Sequence, residues 1–254
     1  MTTCKACDEP LLLSVVDSDD EGNSSAAGAS VPDDLHLPCD CHFHWQCLLD
    51  RATDVVSSLR CPACGSALAQ AAGSSSSSAR QPPILTTYIS EGGVEENLDI
   101  LPIITEEAYV EANPEARPAR ALHIMAKEGD VEGAVELLHT VSEDEAGNAE
   151  EALGRLIRYQ DPLASMKSAL HLAVEAGQVE SVWLLLWLSS SLPEPAFPDT
   201  TRAQAQAIGL GRLSVSSPAQ DLRSLRDANG HTSEALARES PMLFPLVQAG
   251  VLAP

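Results

Sequence analysis

The chain has 254 residues, of which 44% are hydrophobic but only 4% aromatic, and its formal net charge is −22. This length suffices for one sizeable core or for two modest domains. The negative charge argues against nucleic acid and against an anionic membrane surface as partners, because both are bound through clusters of Lys and Arg.

Two further features of the sequence indicate the compartment. No apolar run reaches the length of a membrane span, and the start MTTCKACDEP lacks the apolar stretch and cleavage site of a secretory signal. We therefore expect an intracellular protein of the cytoplasm or nucleus. Thiols stay reduced there, so clustered cysteines indicate a metal site more often than a disulfide.

All seven cysteines lie within the first 64 residues. They form two C-x2-C pairs, one C-x-C pair and a single cysteine: Cys4 and Cys7, Cys61 and Cys64, Cys39 and Cys41, and Cys47. The C-x2-C spacing makes a tight turn that directs two thiolates at one ion, and Zn²⁺ takes four nitrogen or sulfur ligands in a tetrahedron. Seven thiolates cannot complete two such tetrahedra, so one histidine is needed.

Three histidines lie close to these cysteines, namely His36, His42 and His44. His44 is favoured because His44-x2-Cys47 repeats the C-x2-C spacing, which leaves His42 as a bystander. The set then closes at eight ligands with no cysteine left over. The alternative is a group of reduced structural cysteines without metal. In that case the two C-x2-C pairs and the total of eight ligands would be coincidental.

The stretch LPCDCHFHWQC and the ending CPAC resemble the RING finger, in particular its RING-H2 branch, with Cys41 where that branch has histidine. The resemblance covers about residues 1–68 and implies a small α+β cross-brace domain with two Zn²⁺ ions. The implied ligands are Cys4, Cys7, His44 and Cys47 for zinc 1, and Cys39, Cys41, Cys61 and Cys64 for zinc 2. PHD fingers and the RING-CH variant share this ligand order, but they usually place more residues before the histidine. PHD fingers also carry a Trp shortly before the last pair, and none lies between Cys47 and Cys61.

RING ligases hold a ubiquitin-charged E2 ubiquitin-conjugating enzyme in a reactive orientation and have no nucleophile of their own. The resemblance implies that Ala6, Leu48 and Pro62 face the E2, and it implies no catalytic residue. Two positions depart from the family pattern. Lys5-Ala6 replaces an aliphatic anchor, and Gly65 stands where many active RINGs have Arg or Lys.

The segments around and after this region are predicted from composition. Leu11–Val16 is expected to form a short strand, and the acidic loop 17–31 is expected to be disordered. Residues 69–83, rich in Ser, are expected to be a flexible linker that marks the domain boundary. Residues 84–117 are predicted as an irregular segment that packs on the repeats of the C-terminal domain, with a helix that begins at Thr105.

Those repeats are visible in the sequence itself. Residues 119–139 and 168–188 share A-L-H, then Gly, Val and a Leu-rich run, and a weaker copy spans about 227–250. This pattern resembles the ankyrin repeat and implies an all-α solenoid over residues 118–254. In that fold, each helical hairpin is stable only when it is stacked on its neighbours. Spacing between the copies predicts insertions at 140–167, which could hold a helix, and at 189–226.

Ankyrin arrays bind other proteins and have no chemistry of their own. His123 and His171 occupy the L-H position, where the family's imidazole braces the turn of a neighbouring repeat. Trp183 and Trp187 lie four residues apart on one helical face. They either anchor an unknown protein partner or are covered by the insertion at 189–226, which is the interpretation that we favour.

Motifs of enzymes with their own catalytic residues, such as a P-loop, G-x-S-x-G or H-E-x-x-H, do not occur in the sequence. Zinc with four protein ligands leaves no open position for a water molecule. The sequence therefore predicts a RING-type E3 ubiquitin ligase whose ankyrin repeats select a substrate. The alternative is a non-catalytic zinc-binding ankyrin scaffold for protein–protein interaction.

Overall fold

The structure is a computed structural model that describes residues 2–14, 30–69, 82–145, 147–209 and 211–254. It divides into two units, Met1–Asn113 and Pro114–Pro254. The fold is mixed α+β: the first unit contains small antiparallel sheets, and the second is built from helices. No helix in the described ranges is both long and apolar enough to cross a membrane.

The first unit contains two sheets. Strands β1 (Leu12–Ser14) and β2 (Ser30–Pro32) form an antiparallel ribbon. A second, four-stranded sheet has the order β4-β3-β5-β6, in which all neighbours are antiparallel. Its strands are β3 (Asp34–His36), β4 (His42–Phe43), β5 (Leu85–Ser90) and β6 (Gly93–Asp99).

The described residues of the first unit also form three helices: α1 (Trp45–Leu49), α2 (Ala52–Ser58) and α3 (Leu101–Ala112). The hydrophobic core of this unit combines residues from positions 4–68 with residues from positions 84–104. Its fully buried side chains include Leu35, Leu37, Phe43, Leu48, Val55, Ile84, Ile100 and Ile104. Helix α3 packs on α2.

The prediction that residues 84–117 form an irregular segment is wrong, because β5, β6 and α3 of the first unit lie within it. Strand β5 pairs with β3, with Leu35 opposite Tyr88, and Thr53 of α2 donates a hydrogen bond to Glu111 of α3 at 2.6 Å. This segment therefore supplies part of the sheet and core of the first unit.

The predicted start of α3 at Thr105 is also wrong. The helix begins at Leu101 because the Asp99 carboxylate accepts a hydrogen bond from the Leu101 N–H at 3.1 Å. The same oxygen accepts from the Ile84 N–H at 3.0 Å, which ties the helix start to the beginning of β5. The Thr105 hydroxyl donates back to the Leu101 carbonyl within the helix.

The second unit contains three pairs of helices: α4 (Ala116–Glu128) with α5 (Val131–Asp144), α7 (Ala169–Glu175) with α8 (Val179–Ser189), and α10 (Ser233–Ala237) with α11 (Phe244–Gln248). Gly129 ends α4, and Gly177 follows the end of α7. Their φ values are 81° and 72°, a conformation that glycine adopts without steric cost. Helix α4 packs on α7, and α7 packs on α10.

The pairs α4–α5 and α7–α8 coincide with the two sequence copies at 119–139 and 168–188. Helix α6 (Ala149–Ile157) lies in the segment 140–167 and buries Leu153, Leu156 and Ile157. The segment 189–226 contains α9 (Asp199–Ile208) and three short 3-10 turns.

Within that second segment, Arg223 is buried and joins the segment to the last residues of the chain. Its guanidinium donates to both carboxylate oxygens of Asp221, at 2.9 and 2.6 Å, and to the carbonyl of Ala253. Burial raises the pKa of Asp221, but the Arg223 and Ser191 donors outweigh it and hold that pKa at about 2.

Two of the predicted flexible segments fall mostly outside the described residues. For the acidic loop 17–31 this applies to residues 17–29, whereas Ser30 and Val31 belong to β2. For the linker 69–83 it applies to residues 70–81.

Candidate metal centres

The first candidate metal centre brings together Cys4, Cys7, His44 and Cys47, whose ligand atoms all lie within 4.8 Å of one another. The Sγ atoms of Cys7 and Cys47 are 3.3 and 3.8 Å from Nδ1 of His44. In a zinc tetrahedron with the usual Zn–S and Zn–N bond lengths, neighbouring ligand atoms are about 3.5–3.8 Å apart. The donor set and its spacing therefore fit Zn²⁺.

The imidazole of His44 is oriented by a hydrogen bond on its far side. Its Nε2 lies 2.8 Å from the carbonyl oxygen of Pro10, which can only accept, so Nε2 carries the proton. Nδ1 is then free to act as a ligand, an arrangement typical of metal-bound histidines. We call the turns at Cys4–Cys7 and Cys61–Cys64 the first and second knuckle. Pro10 lies three residues after Cys7, so the segment that presents the thiols of the first knuckle also orients His44.

The second candidate metal centre contains only thiols, those of Cys39, Cys41, Cys61 and Cys64, again within 4.8 Å of one another. A tetrathiolate set is a typical structural zinc site. The two clusters use the four ligand pairs alternately: the first pair in the sequence meets the third, and the second meets the fourth. The eight residues that the RING resemblance implies are thus grouped as it implies.

Each C-x2-C knuckle is closed by the same backbone turn. The N–H groups of Asp8 and Gly65 donate at 2.9 Å to the carbonyls of Cys4 and Cys61, respectively. The first cysteine of each knuckle in turn donates to a carbonyl five residues later, at 2.9 Å. The turn directs both thiols of a knuckle to one side.

The pKa values of the thiols differ with their surroundings. Burial raises the pKa of Cys39 to about 11 and that of Cys47 to about 12, and it also raises the pKa of Cys41. For Cys4, hydrogen bonds from the backbone of His44, Ala6 and Cys7 outweigh burial and lower the pKa to about 7. For exposed Cys64, hydrogen bonds from Ser66 lower the pKa to about 6.

These opposite shifts leave each cluster with at least one thiol that ionises near neutral pH and others that ionise only when a cation compensates their charge. The three thiolates of the first cluster and the four of the second would repel one another, so a divalent cation is the group that stabilises each full set. When bound, Zn²⁺ would supply structural cross-linking, since four protein ligands leave no open coordination position.

His42 lies outside both clusters. Its Nδ1 is 2.7 Å from a carboxylate oxygen of Asp34, and its ring stacks on that of His36 with centroids 4.4 Å apart. His42 on β4 is therefore held by contacts to Asp34 and His36 and belongs to neither ligand set, as expected for a bystander.

Two of the three residues proposed to face an E2 are at the surface, and one is not. Ala6 and Pro62 are exposed at the tips of the two knuckles. Leu48 is only 1% exposed and packs in the core of the first unit, so its assignment as an E2-facing residue is wrong. Helix α1 has five residues, and Leu48 on its buried face belongs to the core of the first unit.

The two histidines of the repeat-like helices are structural. Nε2 of His171 lies 3.2 Å from the carbonyl oxygen of His231, and its Nδ1 accepts from the backbone N–H of Ser168 at 3.3 Å. His123 contacts the carbonyl oxygen of Tyr159 through Nε2 at 3.3 Å. Burial lowers the pKa of both imidazoles, to about 4 for His123, so both are neutral at physiological pH.

The two tryptophans of α8 are covered to different extents. Phe197 packs edge-on against both, with ring centroids 5.7 Å from Trp183 and 5.2 Å from Trp187. The guanidinium of Arg212 lies over the Trp187 ring at 5.4 Å. Trp187 is 9% exposed and is thus excluded as a direct surface anchor, whereas Trp183 is half-buried.

Sequence reasoning missed the buried Asp33, which joins three parts of the first unit. Its carboxylate accepts from the Trp45 N–H at 3.1 Å, just after His44, and from the Tyr88 hydroxyl at 3.0 Å. Burial, together with that carboxylate, raises the pKa of Tyr88 to about 12. An Asp before β3 gives no recognisable signal in the sequence, because its partners are 12 and 55 residues away.

No family model matches this chain, and neither curated proteins nor solved structures give a significant match to it. Its residues and geometry therefore carry the functional argument.

Proposed function

We propose that the first unit is a RING-type zinc domain that recruits a ubiquitin-charged E2 enzyme and that the second unit binds a substrate or partner through ankyrin-type repeats. The observation that carries this proposal is the alternate use of the ligand pairs, since Cys4/Cys7 meet His44/Cys47, and Cys39/Cys41 meet Cys61/Cys64. Such interleaving is the defining feature of the cross-brace that the sequence resembles.

The surface of the two knuckles supports E2 recruitment in part. Ala6 and Pro62 are exposed, as a docking site requires, and no enzyme chemistry is asked of the chain itself. A RING ligase acts by orientation alone, which lowers the barrier to attack on the E2 thioester by fixing the reacting groups.

Ankyrin-type binding by the second unit is supported by the helix pairs and by the two histidines. Helices α4, α7 and α10 pack in succession, and His171 contacts the His231 carbonyl beside the next pair. In a repeat array each unit is stabilised by its neighbours, and the stacked surface serves for protein recognition.

A non-catalytic zinc scaffold is the second candidate. Lys5 and Ala6 offer little apolar contact, Leu48 is buried, and Gly65 supplies no cation beside the last cysteine. In this alternative the zinc ions serve only to fold an interaction module.

Autoubiquitination with a panel of E2 enzymes distinguishes the two. The ligase proposal predicts ubiquitin transfer that is lost in Cys39→Ser, a zinc-site variant, and reduced in Pro62→Ala, a surface variant that retains zinc. No transfer with any E2, while two zinc ions stay bound, would overturn the ligase proposal and leave the scaffold.

A further inference from the structure

A cavity of about 350 Å³ lies in the second unit between α8 and α9, within the size range of roughly 300–1,000 Å³ that is typical of ligand pockets. We name it the tryptophan cavity after the two side chains of α8 in its wall. Its lining includes Trp183, Trp187, Glu180 and Ala205.

The floor and walls of this cavity are mostly apolar and already ordered. Trp187 is buried, and Phe197 and Arg212 pack against its ring. Ala205 is also buried, and its small side chain leaves space that a larger residue would fill. Trp183 is half-buried and thus keeps one part of its indole accessible.

The charge at the mouth is negative. Glu180 lines the cavity and is exposed. Residues 114–254 contain 19 acidic and 11 basic residues, a net charge of −8. A basic occupant is therefore attracted to this surface, and an acidic one is repelled.

We propose that the tryptophan cavity receives one apolar side chain of a partner protein, from a segment in which that side chain is flanked by basic residues. This assignment rests on the proposed function of the second unit as a protein-binding module. The apolar side chain fills the space beside Ala205, and its flanking cations face Glu180.

The test uses the full chain labelled with 5-fluorotryptophan, which gives one ¹⁹F resonance each for Trp45, Trp183 and Trp187. The probe is a capped pentapeptide with a central leucine between two lysines and two arginines, titrated into the millimolar range that a single anchored side chain implies. We expect the resonances of Trp183 and Trp187 to shift with saturation, while that of Trp45 in the first unit stays in place.

Two control peptides test the stated chemistry. Replacement of the central leucine by serine should abolish the shifts, and replacement of the basic residues by acidic ones should do the same. Equal shifts with either control would overturn the proposal, as would the absence of any shift with the basic leucine peptide.

Two variants test the location. Ala205→Leu fills the cavity and should eliminate the response. Glu180→Lys changes only an exposed side chain, and it should weaken binding about threefold, as expected for a surface charge pair. An undiminished response in a folded Ala205→Leu variant, or in Glu180→Lys if Ala205→Leu does not fold, would contradict the assignment. Failure of these tests with intact autoubiquitination would remove the cavity assignment and leave the ligase proposal standing.

Discussion

Asp8 and Gly65 occupy the same position in the two zinc knuckles. Each lies four residues after the first cysteine of its knuckle and donates its N–H to that cysteine's carbonyl at 2.9 Å. Each has a left-handed backbone, with φ values of 63° and 73°. The glycine that departs from the pattern of active RINGs thus fits a turn that requires positive φ, and Asp8 shows that a side chain is tolerated there.

Gly65→Arg is the first prediction. A Cβ at Gly65 meets no atom within 4 Å, so only the left-handed backbone opposes the change. We expect the free energy of unfolding to fall by about 1 kcal/mol, measured by urea denaturation of the zinc-loaded chain. We also expect faster autoubiquitination, because the cation is restored beside Cys64.

Gly65→Ala is the matched control for that variant. It carries the same backbone cost without the cation, so it should match Gly65→Arg in stability and the parent chain in activity. Equal autoubiquitination rates for the alanine and arginine variants would show that the charge at this position has no role.

The second prediction concerns the two neighbouring histidines. His44→Ala removes a ligand and should leave the chain with one zinc ion in place of two, because three thiols remain in the first cluster. His42→Ala removes only the contacts to Asp34 and His36 and should retain both ions. Metal analysis of both purified variants decides this, and equal loss of zinc would mean that the ligand assignment is wrong.

The third prediction is an acid sensitivity of the second unit. The pKa of His123 is about 4 in the folded chain, below its ordinary value of about 6.5, because the ring is buried. The unfolded state therefore binds more protons between these two values, and stability is lost as the pH falls through that window. We expect about 2 kcal/mol less stability at pH 5 than at pH 7 from this group.

Urea denaturation of the chain at both pH values, followed through the unfolding transition of the second unit, measures this loss of stability. The same measurement on His123→Gln is the comparison. The glutamine variant is less stable at pH 7 but should show a flatter pH dependence. An identical pH dependence in the two proteins would mean that His123 is not the group responsible.

The fourth prediction concerns the ion pair between Arg223 and Asp221, both of which are almost fully buried. Arg223→Leu leaves the Asp221 carboxylate buried without its cation, which costs about 3–5 kcal/mol. The control is Arg155→Leu, which removes an exposed pair with Glu151 and should cost less than about 0.5 kcal/mol. Similar losses in the two variants, measured by denaturation, would contradict a structural role for the buried pair.

The sequence predicted the features that depend on local spacing. The ligand pairs Cys4/Cys7, His44/Cys47 and Cys61/Cys64 follow from C-x2-C and H-x2-C spacing, whereas the grouping of distant pairs into two clusters was implied by the RING resemblance. The helix pairs α4–α5 and α7–α8 follow from apolar periodicity and from a glycine at the turn.

Features that depend on distant contacts were predicted poorly. Strand β5 pairs with β3 across about 50 residues, and no local pattern encodes that register. Leu48 was placed on the surface by the RING resemblance, and helix α1, with five residues, is too short for its apolar periodicity to identify the buried face. The start of α3 was missed because its capping carboxylate, Asp99, belongs to the preceding strand.

The central claim is that the interleaved ligand pairs bind two zinc ions, and zinc K-edge absorption spectroscopy combined with native mass spectrometry tests it most directly. We predict two ions per chain and an average first shell of about 3.5 sulfur and 0.5 nitrogen atoms per ion, since the two clusters hold seven thiols and one imidazole. One ion per chain, or a shell with oxygen ligands, would contradict the account.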